Sequence, residues 1–513
     1  MPKRKSGKPA ATRSAPAPAS AFAGIFWLVP LALAGVQLWV TNAGLHQIRY
    51  EELAEAVRSV WWLDQRVVYD GVYTNVGWYG TLLVVYKLFG FSIFTAKYVR
   101  LVLHVVGLYC IASVLRRAMS PGAAIVPLVL IGLSPTLLYF DSVQTSYAMD
   151  VSYAAICLWL IVSIDFASPG RGDYGKAFAG GLVAMIAAMS YPAFAFYVPS
   201  LAIVAIWLIR RAGRPVISRA IGGLFAAEIA GLVLPLAAVL LFVRNSPLLV
   251  FDPETQAGLF RASGHLGFDP AIFQRSLTIV LHDLFVQGHS YYYEVTRPEF
   301  SGWLAIAGLA AVLGTSAYLV ASKKIDATIV VAALVLLATS LIVPNLSIEG
   351  EPGLRRCTGA LAAYVALFAI AWRFYSTTPR TAWLNAGLAV CLLLPLDSAL
   401  KVPSLVDDEA SKSVFRNMDW FVAPGGPGDA LAHFVEMTDH NEALSCPIDP
   451  EGRITLCRYQ EIYPAIAGYR KWNGLPVVDI HARDWKTGRD IVLTPYLWLD
   501  HYYPTCTRIA NCR

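Results

Sequence analysis

The chain has 513 residues, of which 56% are hydrophobic and only 15% charged. That balance excludes a soluble globular enzyme and points to an integral membrane protein. The net charge of +6 is modest, and the basic residues sit between apolar runs rather than in one stripe, which excludes a nucleic-acid partner.

Residues 1–20, MPKRKSGKPAATRSAPAPAS, are basic and rich in Pro, Ala and Ser, the composition of a disordered cytoplasmic tail. Ala21–Asn42 is longer than the core of a cleavable signal peptide and reads as the first spanning helix. A span needs about 20 mostly apolar residues. Lys and Arg in short loops mark the cytoplasmic side. Applied throughout, that rule gives one path. Span 1 goes out. Span 2, Phe94–Leu115, comes in to Arg116 and Arg117. Span 3 is Gly122–Phe140, and span 4, Val151–Ile164, returns to a loop with Arg171 and Lys176. Span 5 is Ala177–Tyr191, span 6 is Ala193–Ile209, and a basic run from Arg210 to Arg219 follows. Span 7 is Ala220–Val243, and span 8 is Trp303–Ala321, ending at Lys323 and Lys324. Spans 9, 10 and 11 are Ala327–Val343, Thr358–Trp372 and Trp383–Leu396. Trp78–Phe89 is short, carries Lys87 and does not cross in this scheme. It lies on the membrane face with Trp78, Tyr79 and Tyr86 as anchors.

The larger loops then share one side: Gly44–Ile93, Asp141–Asp150, Arg244–Gly302 and Asn345–Arg356. Residues 399–513 join them as a small folded domain of mixed structure. It holds Cys446, Cys457, Cys506 and Cys512, which suggest two disulfides in an extracytoplasmic setting, or else four free thiols. Cys110, Cys157, Cys357 and Cys391 read as packing residues. The chain shows no internal repeat, no Walker loop and no dinucleotide-binding glycine pattern.

Four places can house chemistry. In the first outer loop, Leu53, Val57 and Val60 share one helical face, and Glu51, Glu55, Arg58 and Trp62 share the other. Glu51 and Glu52 in its first turn either offset the helix dipole or supply a general base. In the second loop, YFDSVQTSYAMDVSY, Asp150 either caps span 4 or helps hold a divalent cation. In the fourth loop, NLSIEGEPGLRRCTG, Arg355 and Arg356 break the positive-inside rule. They either bind an anion such as a lipid phosphate or pair with Glu349 or Glu351. The third loop carries His265, His282, His289 and the run Tyr291–Tyr292–Tyr293. Its histidines lack metal spacing. Its aromatics either stack on a sugar or form an interfacial belt. Glu228 inside span 7 is an intramembrane acid and so a functional candidate.

The order of these pieces resembles the GT-C superfamily of membrane glycosyltransferases, which includes protein O-mannosyltransferases, lipid A aminoarabinose transferases and oligosaccharyltransferases. The resemblance covers Ala21–Leu396. It rests on an acidic pair within RYEELAEAV and on NVGWYGTLLVVYKLFGFSIFTAKYVR with its Leu88–Phe89–Gly90 turn. The second-loop acid in SPTLLYFDSVQTSYAMD and the late arginines in EGEPGLRRCTG complete it. Two departures stand out: glutamate replaces the pair's usual aspartate, and Gly77–Trp78 stands where a proline pair is usual.

The spans and the tail predict an all-α polytopic membrane protein of about 11 transmembrane helices with a small extracytoplasmic C-terminal domain of mixed α/β structure, and the resemblance makes residues 21–398 GT-C-like. The resemblance implies Glu51 or Glu52 as general base and Asp150 as the second-loop acid, near a Mg or Mn ion. Arg355 or Arg356 would contact the donor phosphate, and Tyr79, Tyr147 and Tyr292 would contact substrate. The donor would be a polyprenyl-phosphate-linked sugar, and the acceptor a lipid, glycan or protein of a bacterial envelope, with the N-terminus cytoplasmic. The alternative is a transporter or flippase of a lipid-linked intermediate.

Overall fold

The computed structural model describes residues 24–44, 70–89, 93–143, 145–244, 268–287, 293–346, 354–379, 381–411, 480–483 and 490–493. The expected amphipathic helix around residues 50–63, the tail cysteines and most of the expected C-terminal domain lie outside them.

The described chain is a bundle of apolar helices. The first part comprises α1 (Leu28–Ala43), α2 (Asp70–Phe89), α3 (Ile93–Ala118), α4 (Pro121–Gly132), α5 (Pro135–Ser142), α6 (Met149–Val162) and α7 (Arg171–Ser190). A 3-10 turn, Pro192–Tyr197, leads into α8 (Val198–Arg211), then α9 (Arg219–Arg244) and α10 (Pro270–Leu281). The last part is α11 (Ser301–Ala321), α12 (Ala327–Ile342), α13 (Thr358–Thr377) and α14 (Ala382–Ser411). Beyond it, β1 (Ile480–Arg483) pairs antiparallel with β2 (Asp490–Leu493), Ile480 opposite Leu493.

Among the described residues, seven helices are long and apolar enough to cross a membrane, or eight if α4 and α5 form one broken span. This falls short of the expected eleven, for physical reasons. Helices α1 and α6 are apolar but only 16 and 14 residues long. Helix α7 begins with Arg171, Asp173 and Lys176. The expected span 3 is bent by 59° between α4 and α5. Ser134 precedes Pro135 there and is extended, as a residue before proline prefers, so the helix breaks.

Cross-links gather the loops at two ends of the bundle. At one end, Arg117 reaches Ser163 Oγ at 2.9 Å and the Val162 carbonyl. Lys176 reaches the Ser163 carbonyl at 2.6 Å, Arg214 Nε the Ala167 carbonyl at 3.0 Å, and Trp207 Nε1 the Asp326 carboxylate at 2.7 Å. This basic end gathers the arginine and lysine pairs of the short loops. The links of the second and fourth outer loops meet at the other end.

Helix α13 lies at the centre, buried along most of its length, whereas α9 turns much of its surface outward. The closest crossing joins α7 to α9. A Cβ added at Gly181 would lie 2.0 Å from the Glu228 carbonyl oxygen, and one at Gly231 the same distance from that of Phe178. Only glycine permits that approach.

Two readings change. Trp78, Tyr79 and Tyr86 are not surface anchors. All three are fully buried, and α2 packs on α7 with Gly77 against the Ile186 carbonyl and Ser190. Within the third outer loop, α10 is capped by Asp269, whose carboxylate accepts from the Ala271 and Ile272 amides, and a π-turn over His282–Val286 follows. In addition, α14 runs past the expected boundary at 398 and on to Ser411. The cysteines at 110, 157, 357 and 391 are buried free thiols, as packing residues should be.

Candidate functional site

Site building starts with α6. Its N-cap is Ala148, in the left-handed region at φ 58°, so Asp150 is not the cap but a first-turn residue. Its side chain turns inward and is buried to 1% exposure. Both its carboxylate oxygens accept from the Thr358 hydroxyl, at 3.1 and 3.3 Å, and the Tyr197 hydroxyl lies beside it. Thr358 begins α13, 208 residues further along the chain.

The turn before α13 carries Arg355. Its NH1 donates to the Tyr147 hydroxyl at 2.5 Å, and its guanidinium carbon stands 4.5 Å from the Tyr147 ring centroid. That is hydrogen-bonding and cation–π contact with one side chain. The Tyr191 hydroxyl donates to the Arg355 carbonyl at 3.0 Å, and its ring meets Tyr147 edge-on at 5.8 Å. Arg356 is exposed. The fold thus brings together Asp150, Tyr147 and Arg355 from the expected set. Tyr79 is buried on α2, with the Asn75 amide 3.5 Å from its hydroxyl, in the helix that packs on α7. Glu51, Glu52 and Tyr292 lie outside the described residues. Glu228 is half-buried on α9, away from this end of the bundle.

One network escaped the sequence reading. Arg100, fully buried on α3, places its NH2 at 2.9 Å from Asp141 Oδ1, 3.0 Å from the Phe140 carbonyl and 2.7 Å from the Tyr147 carbonyl. His104, one helical turn on, puts Nδ1 2.6 Å from Asp141 Oδ2. Asp141 was visible as a loop acid, and the i, i+4 spacing of Arg100 and His104 puts both on one face, the available signal. A second buried group joins α14 to its neighbours. Lys401 Nζ meets Asp397 Oδ2 at 2.5 Å and the Val286 carbonyl at 2.8 Å, and Ser301 donates to the other Asp397 oxygen. The D-x-x-x-K spacing at 397–401 was its signal.

Asp141 is committed to Arg100 and His104, which leaves Asp150 as the acid facing the arginine turn. Among the described residues, no three His, Cys, Asp or Glu side chains gather as a metal site. Chemically, the arrangement offers a desolvated carboxylate held by hydroxyls and, at the same meeting of links, a cation held against a tyrosine.

No family model matches the sequence, and no curated protein matches it. Among solved structures, the chain is similar to ArnT from Cupriavidus metallidurans bound to undecaprenyl phosphate. That overlap has a TM-score of 0.48 and 11% identity, over 88% of this chain and 85% of that one. It is also similar to the oligosaccharyltransferase AglB from Archaeoglobus fulgidus, in complex with an inhibitory peptide and a dolichol-phosphate. There the TM-score is 0.44 and the identity 12%, over 82% of this chain and 60% of that longer one. The apo state of the same ArnT overlaps at 0.42 with 13% identity, over 77% of this chain and 78% of that one.

Proposed function

We propose that this chain is an inverting membrane glycosyltransferase that moves a sugar from a polyprenyl-phosphate carrier to an envelope acceptor. The observation that supports it is the meeting of Asp150 and Tyr147 with Arg355 and Thr358 at one end of the bundle, two links 208 residues apart. Asp150 is fully buried and Arg355 half-buried, and taking charged groups out of water in a membrane protein costs more than it returns in stability. Such groups fit a reaction that develops charge.

In that reaction the acceptor hydroxyl oxygen attacks the anomeric carbon from the face opposite the phosphate. The carbon–oxygen bond to the carrier breaks, and the lipid phosphate leaves with the electron pair. Glu51 or Glu52 takes the hydroxyl proton. Arg355, with Arg356 nearby, stabilises the leaving phosphate through charge-assisted hydrogen bonds. Asp150, with one of the first-loop glutamates, is where a Mg or Mn ion would sit. Tyr147, Tyr79 and Tyr292 are the aromatic contacts for the sugar.

A flippase is the second reading, favoured by the break between α4 and α5, since transporters build sites on discontinuous helices. Reconstitution in proteoliposomes separates the two. Sugar passing from undecaprenyl-phosphate donors to envelope acceptors, lost in Asp150→Asn and Arg355→Gln, supports the enzyme. Carrier lipid crossing the bilayer with no sugar transferred would overturn it.

A further inference from the structure

We propose that Arg100, Asp141 and Ala148 form a clamp that positions Tyr147, and through Tyr147 sets the place of the Arg355 guanidinium. The proposal rests on the anion-binding reading of Arg355 given above. A single nitrogen of Arg100 faces both ends of the link: the Phe140 carbonyl and Asp141 carboxylate on one side, the Tyr147 carbonyl on the other. Residues 140 and 147 are therefore pinned to one point. Asp141 is itself held twice from one face of α3, by Arg100 and by His104. The next residue, Ala148, is buried and left-handed at φ 58°. A left-handed alanine is strained and persists where its surroundings over-determine it. Pinned on one side and turned sharply on the other, Tyr147 presents its hydroxyl and ring to Arg355 in one orientation. A buried ion pair contributes little net stability but fixes geometry, which suits a positioning role.

The contrasting view is that Arg100 anchors only its own loop. Two readouts on purified full-length protein decide between them: amide hydrogen exchange across residues 354–357, and binding of undecaprenyl phosphate. Arg100→Gln is expected to speed exchange both in 145–149 and in 354–357, and to weaken binding about tenfold. Arg100→Lys should recover part of both, because an ammonium presents N–H groups to the same three oxygens. Should Arg100→Gln fail to fold, Ala148→Gly decides. It removes the strained backbone and should be at least as heat-stable as the parent, yet bind about threefold more weakly. Unchanged exchange at 354–357 in the folded variants would overturn the clamp. If Arg355→Gln leaves lipid-phosphate binding untouched while exchange at 354–357 still responds to Arg100, the clamp stands and the anion-binding reading falls.

Discussion

At the residue scale, Tyr147 is the most exacting contact of the site. It gives Arg355 a hydroxyl acceptor at 2.5 Å and a ring at 4.5 Å. Tyr147→Phe keeps the ring and removes the acceptor. Hydrogen bonds to charged groups contribute about 1.5–3 kcal/mol, so sugar transfer is expected to fall about tenfold or more in that variant, measured with saturating donor. Arg355→Lys keeps the charge but loses the guanidinium–ring contact, and should cost at least as much. Asp150→Asn is expected to lower transfer about 100-fold or more while leaving the thermal midpoint within a few degrees, since asparagine still accepts from Thr358. Asp150 and Arg355 stood out in the sequence because an acid at a span's edge and arginines on the unexpected side both break a rule. The Arg100–Asp141–His104 network did not. Arg100 read as part of a motif and Asp141 as a loop residue, and only the 59° bend after Gly132 brings that acid back onto α3.

At the element scale, α7 carries two testable features. Its crossing with α9 depends on Gly181 and Gly231, where a methyl group would sit 2.0 Å from backbone oxygen. Gly181→Ala or Gly231→Ala must push the helices apart, and a loss of about 1–3 kcal/mol is expected in detergent unfolding. The start of α7 is fixed by Asp173, which accepts from the Gly170 amide at 3.0 Å and from Lys176 at 2.8 Å. The Lys176 ammonium, with the Gly170 amide, holds the Asp173 carboxyl down at about 2. Its folded-state value lies below its ordinary one, so its contribution is complete above that ordinary value and is lost as pH falls through about 2. Asp173→Asn should therefore lower the melting temperature near neutral pH, with the gap to wild type narrowing as the pH approaches the folded value.

For the whole molecule, cross-links between loops sort them into two sets, and the sequence supported the same sorting through its Lys and Arg pairs. Sidedness is expected to follow. A cysteine introduced at Ser322 and one at Arg356 should be labelled by an impermeant maleimide from opposite faces of sealed vesicles. Labelling of both from one face would break the topology. Helix positions were legible because long apolar runs are unambiguous. The count of spans was not, because α1 and α6 are short and α7 begins with three charged residues, and composition does not reveal which neighbours bury them. Trp78, Tyr79 and Tyr86 misled for a related reason. Aromatic rings at a helix end suit a water–lipid boundary and a protein interior equally well, and here the α7 contact decides. The last helix has a practical corollary. Beyond the apolar stretch it still carries Lys401 and Glu409, each 1% exposed, in a region where a shortened version of the protein would naturally be cut. Ending the chain at Ala399 would strip Asp397 of its counter-charge and leave an acid stranded against Ser301. A version ending after Ser411 keeps that partnership and is the one to express.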